Sequence, residues 1–162
     1  MEDQFNAFLK VLNSFDKHRV KYVLIGGVAM ILHGMERLTR DIDIFIKMNH
    51  ENVARLREAL FSIFKDDYVG EITFEEFDKY PVIRYGTPDG FHIDFLVRIG
   101  ELFSFEDLEY EIIEYQGIKI NIATPEMLFK LKKNTIRERD KIDAIFLKEL
   151  IKKRKSRSSD EN

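Results

Sequence analysis

A chain of 162 residues, 44% of them hydrophobic, can build one domain with a real core and is too short for two ordinary ones. Cysteine is absent, which excludes disulfides, a thiolate nucleophile and a thiolate-held metal; any metal is held by oxygen or imidazole, which favours hard cations such as magnesium or manganese. The formal charge of -3 is uneven, with five Lys or Arg against two acids in residues 151–162 and 21 against 27 in residues 1–150, so the acidic body argues against general nucleic-acid binding while the basic tail can meet phosphates or simply stay solvated.

In chain order, Phe5, Phe8, Leu9, Leu12 and Phe15 have the spacing of an amphipathic helix that stops near His18. This acidic N-terminus has no signal-peptide pattern, and no stretch approaches 18 consecutive apolar residues, so a soluble cytoplasmic protein is expected. "KYVLIGG" reads as a short strand closed by Gly26-Gly27, and Val28, Ile31 and Leu32 predict a short helix ending at Gly34. "DIDIFIK" alternates acid and apolar side chains, after which Asn49 caps a helix whose buried stripe is Val53, Leu56, Leu60 and Phe64. A β-rich region follows: "PVIRYG", the turn "TPDG" and "FHIDFLV" form one hairpin, and "EIIEY" and "IKINIA" form another around Gln116-Gly117. Thr124 and Pro125 announce the helix "PEMLFKLKKN", and a last helix starts near Glu138, carrying Ile142, Ile145, Phe146 and Leu150. Phe61, Phe64, Phe103 and Phe105 read as core. The order predicts an α+β domain over residues 1–151, a mixed β-sheet with helices mainly on one face and C-terminal helices, followed by a basic, flexible tail over 152–162.

The chemistry gathers on the acidic faces of two strands. Successive side chains of a strand point to opposite sides, so Asp41 and Asp43 share a face while Ile42, Ile44 and Ile46 take the other. Two carboxylates roughly 6.6 Å apart along a strand raise each other's proton affinity unless a cation sits between them. In "FHIDFLV", His92, Asp94 and Leu96 share a face; were that strand beside the first, Asp94 becomes the third carboxylate of a site for two ions about 3.5 to 4 Å apart. The plainer reading of Asp94 is an ion pair with Arg84 across the hairpin. Gly26-Gly27 is either an ordinary turn or a seat where backbone N–H groups approach a phosphate, and neither the Rossmann nor the P-loop pattern is present. His33, beside Gly34, reads as much as a helix cap as a ligand, and His92 as an exposed hairpin residue or a neighbour of the carboxylates. Lys132 and Asp140 in isolation read as a solvated helix face and a helix start.

These residues resemble a known family. The glycine pair, the 13-residue gap and "DID" are similar to the signature of the polymerase-beta-like nucleotidyltransferases. Within that superfamily, "GGVAMILHGMERLTRDIDIFI" resembles the AbiEii-like nucleotidyltransferases of toxin-antitoxin systems, and "TPEMLFKLKKNTIRERDKIDAIFL" is like that group's C-terminal segment, with Arg139, Asp140 and Asp143 on its "RD..D" element. The resemblance implies a nucleotidyltransferase fold and transfer of a nucleoside monophosphate from an NTP to a hydroxyl of an RNA (tRNA) or protein acceptor, with a cognate toxin or antitoxin as partner. It makes Asp41, Asp43 and Asp94 ligands of Mg2+ or Mn2+, with Asp94 also the general base. Gly26, Gly27, Arg37 and Thr39 become nucleotide contacts, Lys132 a charge on the phosphates, and Asp140 or Asp143 a group that orients it. Two departures stand out: Gly27 occupies a position where many active members have serine, and the chain lacks the large helical domain of longer toxins. They motivate a second reading, a non-catalytic nucleotide- or partner-binding regulatory protein of the same fold.

Overall fold

Helix α1 (Gln4–Lys17) starts at Asp3, whose side chain accepts from the Phe5 N–H, and buries Phe8, Leu9, Val11, Leu12 and Phe15. This is a computed structural model, and it describes residues 3–132 and 138–160. After α1 come β1 (Tyr22–Ile25), α2 (Gly26–Leu32), β2 (Asp41–Ile46) and α3 (His50–Phe64), the last capped by Asn49 accepting from the Asn52 N–H. Asn52 is itself buried; its amide accepts from the Lys21 N–H and donates to the Lys21 and Lys47 carbonyls, which fixes α3 to the ends of β1 and β2.

Further along the chain lie α4 (Phe74–Lys79), β3 (Val82–Gly86), β4 (His92–Leu96), the two-residue ribbon β5 (Arg98–Ile99) and β6 (Phe103–Ser104), β7 (Tyr110–Tyr115), β8 (Ile118–Ala123), α5 (Pro125–Lys132) and α6 (Glu138–Asp160). Six strands make one mixed sheet in the order β3-β4-β2-β1-β8-β7. The β1/β8 and β2/β4 pairs are parallel; β1/β2, β3/β4 and β7/β8 are antiparallel. Alternation along β2 buries Ile42, Ile44 and Ile46 and leaves Asp41 and Asp43 partly accessible on the opposite face. Helix α1 covers the apolar face, where Phe15 meets Tyr22 and Phe95 and Phe8 meets Phe91 edge-on.

Several elements differ from the sequence reading. Residues 65–80 hold a 3-10 turn (Asp67–Glu71) and α4 rather than unassigned chain; Asp66 and Thr73 cap them, accepting from the Tyr68 and Glu76 N–H groups. Phe61 is exposed rather than core, with the Lys65 ammonium 5.7 Å from its ring centroid, whereas Phe64, Phe103 and Phe105 pack partly buried against the core. On α6 the inward face is Asp140, Asp143 and Leu147, while Ile142 and Ile145 are exposed. Helix α6 runs through the basic segment to Asp160, and Arg154 there bonds Glu111 on β7 at 3.2 and 3.3 Å.

His33, left open in the sequence between a helix cap and a ligand, stands at the C-terminal end of α2. Its ring Nε2 lies 2.8 Å from the Ala123 carbonyl, which requires an N–H there, and burial holds its pKa below the usual value. A neutral imidazole tying α2 to β8 replaces the cation at a helix end.

Candidate active site

Strand register assembles the site. β2 and β4 lie side by side in parallel with Asp41 opposite His92 and Asp43 opposite Asp94, so both aspartates of the pair project from the same face about 4.8 Å apart in strand spacing. β3 adds Arg84 opposite Asp94, and β1 brings Ile25 opposite Asp43, with Gly26 following. The result is a row across four strands: Arg84, Asp94, Asp43, then the glycine turn.

Gly26 has φ +73°, and a Cβ there would overlap the Asp43 carboxylate. Glycine is thus required twice, for the left-handed backbone and for the close approach of a carboxylate. At Gly27 a Cβ would stand 3.0 Å from the Thr39 hydroxyl oxygen and 3.5 Å from the Arg37 guanidinium carbon. The space a serine side chain needs at position 27 is already lined by Thr39 and Arg37. Thr39 in turn donates to the Asp41 carbonyl at 3.0 Å, tying the loop to the start of β2.

Burial, then the charge and hydrogen bond of Asp94, then the charge of Asp41 push the Asp43 carboxyl up to about 6. Arg84 grips Asp94 with two bonds, Nε to Oδ1 at 2.9 Å and Nη2 to Oδ2 at 3.2 Å, and the same Nη2 reaches Asp41 at 3.5 Å. Hydrogen bonding to Asp94 raises the Arg84 pKa in turn. His92 stands beside Asp41: its backbone N–H donates to Oδ1 at 3.3 Å, and its ring Nδ1 is 3.6 Å from the same oxygen.

The opposite wall comes from the end of α5 and the start of α6. Lys132 Nζ lies 3.1 Å from Asp140 Oδ1 and 2.8 Å from Asp143 Oδ2, and Arg37 Nη1 reaches that same Asp143 oxygen at 2.6 Å. Asp140 and Asp143 are buried, and Asp143 Oδ1 has no hydrogen-bond partner among the described residues. Asp143 is therefore a common anchor for two cations from distant parts of the chain.

Between these walls lies a cavity of about 620 Å³. All nine expected site residues line it: Asp41, Asp43 and Asp94; Gly26 and Gly27; Arg37 and Thr39; and Lys132 and Asp140. Leu38, Arg40 and Arg84 complete the lining, none of them expected there. The hairpin pairing of Arg84 with Asp94 was readable from the sequence, but its reach to Asp41 depends on β4 lying next to β2.

Four bases (Arg37, Arg40, Arg84, Lys132) face four acids (Asp41, Asp43, Asp94, Asp140) in this cleft. A polyphosphate entering it brings negative charge that the lining does not offset. Among the described residues no three acidic or imidazole side chains stand in a ready metal-ligand cluster, and the Asp94 oxygens are turned to Arg84. The donor set itself is all carboxylate, crowded and already attracting one cation in the form of a guanidinium, and this chemistry fits a hard divalent ion.

The fold is that of the nucleotidyltransferases. It resembles an antigenic nucleotidyltransferase-like protein from Paracoccidioides brasiliensis (TM-score 0.58, 18% identity, covering 90% of this chain and 76% of that one). A lincosamide antibiotic adenylyltransferase, LnuA, solved with lincomycin bound, is also similar (TM-score 0.55, 15% identity, 93% and 98% covered). So is ANT(2")-Ia in complex with adenylyl-2"-tobramycin (TM-score 0.50, 15% identity, 89% and 86% covered). Within this fold the chain belongs to the AbiEii family, nucleotidyl transferase toxins of type IV toxin-antitoxin systems, whose sequence pattern matches residues 7–141. No curated protein matches the chain. Among the described residues no helix is long and apolar enough to cross a membrane.

Proposed function

We propose that this protein transfers a nucleoside monophosphate from an NTP to a hydroxyl of an RNA (tRNA) or protein acceptor, with Mg2+ or Mn2+ bound, as one member of a toxin-antitoxin pair. The observation that carries the reading is the parallel register that sets Asp43 beside Asp94 and directly against Gly26. In this reading Asp41, Asp43 and Asp94 hold the divalent ions, whose chemistry when bound is to neutralise phosphate charge and acidify the attacking hydroxyl. The backbone N–H groups of Gly26 and Gly27 meet the triphosphate; α2 has only seven residues, so these bonds count for more than a helix dipole. Thr39 and Arg37 border the same turn, and Lys132, held by Asp140 and Asp143, presents its ammonium to the phosphates. Asp94, once free of Arg84, takes the proton of the acceptor hydroxyl as its oxygen bonds to the α-phosphorus; the bond to the β-phosphate breaks and pyrophosphate leaves.

Incubation with labelled NTPs and total RNA or cell extract tests this. Asp43→Ala is expected to label the acceptor about a thousandfold more slowly than wild type, the scale of losing a charge-stabilising group at a reacting centre. Equal labelling by both proteins would remove the catalytic claim. A second reading, a regulatory protein that binds nucleotide or a cognate partner without catalysis, draws support from the crowded position 27 and from the engagement of Asp94 by Arg84. NTP binding by calorimetry with no transfer to any acceptor selects it.

A further inference from the structure

We propose that Arg84 is a resident counter-cation of the carboxylate trio, competing with the divalent ion for Asp94 and so setting how much metal the site needs. The inference rests on the proposed role of the trio as metal ligands and deepens it. Three observations support it. The bidentate grip of Arg84 uses both oxygens of Asp94, and its Nη2 also reaches Asp41, so one guanidinium spans two of the three carboxylates that would hold a divalent ion. Arginine stays charged across the working pH range, so the conflict with an incoming cation is relieved by movement and not by loss of a proton. The Arg84 side chain is 57% exposed and has somewhere to go. It also borders a second cavity, of about 610 Å³, whose lining includes Glu71, Glu76 and Tyr85. Arg84 thus stands between two openings, with carboxylates in both.

A purely structural role for the pair, as a cross-strand clip between β3 and β4, makes a different prediction: removal loosens the hairpin and leaves metal affinity alone. The deciding measurement is Mn2+ titration of the full chain without nucleotide, read by the electron paramagnetic resonance of free Mn2+. Arg84→Gln is expected to bind Mn2+ at least about tenfold more tightly than wild type, because a positive charge within a few ångströms of the ion is gone. Arg84→Lys, which keeps the charge and loses the fork, falls between them. Unchanged or weaker binding by Arg84→Gln, or no Mn2+ binding by either protein, overturns the proposal. A second readout needs no variant: the Arg84 Nε–H resonance of wild type shifts when Mg2+ is added, and a resonance that stays in place while Mg2+ binds also overturns it. If Arg84→Gln tightens Mn2+ while no acceptor is ever labelled, the catalytic reading fails and the counter-cation role stands. If transfer occurs while metal affinity does not move, the counter-cation role fails and the catalytic reading stands.

Discussion

The two walls of the cleft solve the problem of charge in opposite ways. On the strand wall, two of the three aspartates share one exposed arginine, and the carboxyl left without it, Asp43, sits at about 6. The helix wall sets two buried aspartates against Lys132 and Arg37, whose side chains are only 14% and 13% exposed. One wall is short of positive charge and the other is in balance. A balanced buried network holds geometry; an unbalanced one stores a demand for a cation.

The contrast breaks most visibly at Asp143. Asp143→Ala strands two partly buried cations, and losing one partner of a buried network costs about 3–5 kcal/mol. For a domain of this size that lowers the melting temperature on the order of 10 °C, measurable by calorimetry. On the strand wall the sign is reversed. Because the folded state raises the Asp43 pKa from the usual 3.8 to about 6, the folded protein keeps a proton that the unfolded chain has lost. Stability in the absence of divalent ions therefore falls as pH rises from about 4 to about 6, by up to roughly 3 kcal/mol. Asp43→Asn removes this slope and melts above wild type at pH 7 in a chelating buffer, with the difference fading near pH 4. A smaller effect comes from Gly26→Ala, where left-handed backbone and the Asp43 contact together cost about 2 kcal/mol. Its melting loss shrinks in an Asp43→Gly background, where the collision is gone; an additive double mutant would show that backbone strain alone is at work.

Much of this arrangement was legible in the sequence, and the gaps have physical causes. Alternation in "DIDIFI" and "HIDFL" told which carboxylates share a face, and the glycine pair marked the turn beside them. Which strands are neighbours was not legible: β2 and β4 pair in parallel across the whole of α3, α4 and β3, and no local pattern encodes that choice. The one-turn elements between Phe64 and Pro81 were missed because five or six residues are too few to show a helical period. On α6 the apolar template chose Ile142 and Ile145, both exposed, because its inward stripe at Asp140, Asp143 and Leu147 opens with two acids. Those acids face inward for the sake of Lys132 and Arg37, a reason that appears only once α5, α6 and the loop after α2 are in place.

Because the cleft draws on residues from Gly26 to Asp140 and is braced from Asp143, it is incomplete in any fragment that stops short of Asp143. During synthesis the acidic strands emerge well before the helix that steadies Lys132, so a ribosome-bound or prematurely ended product carries the carboxylates without the anchored ammonium. The cleft is therefore completed late in the chain, when Asp140 and Asp143 join the strands and the loop that precede them.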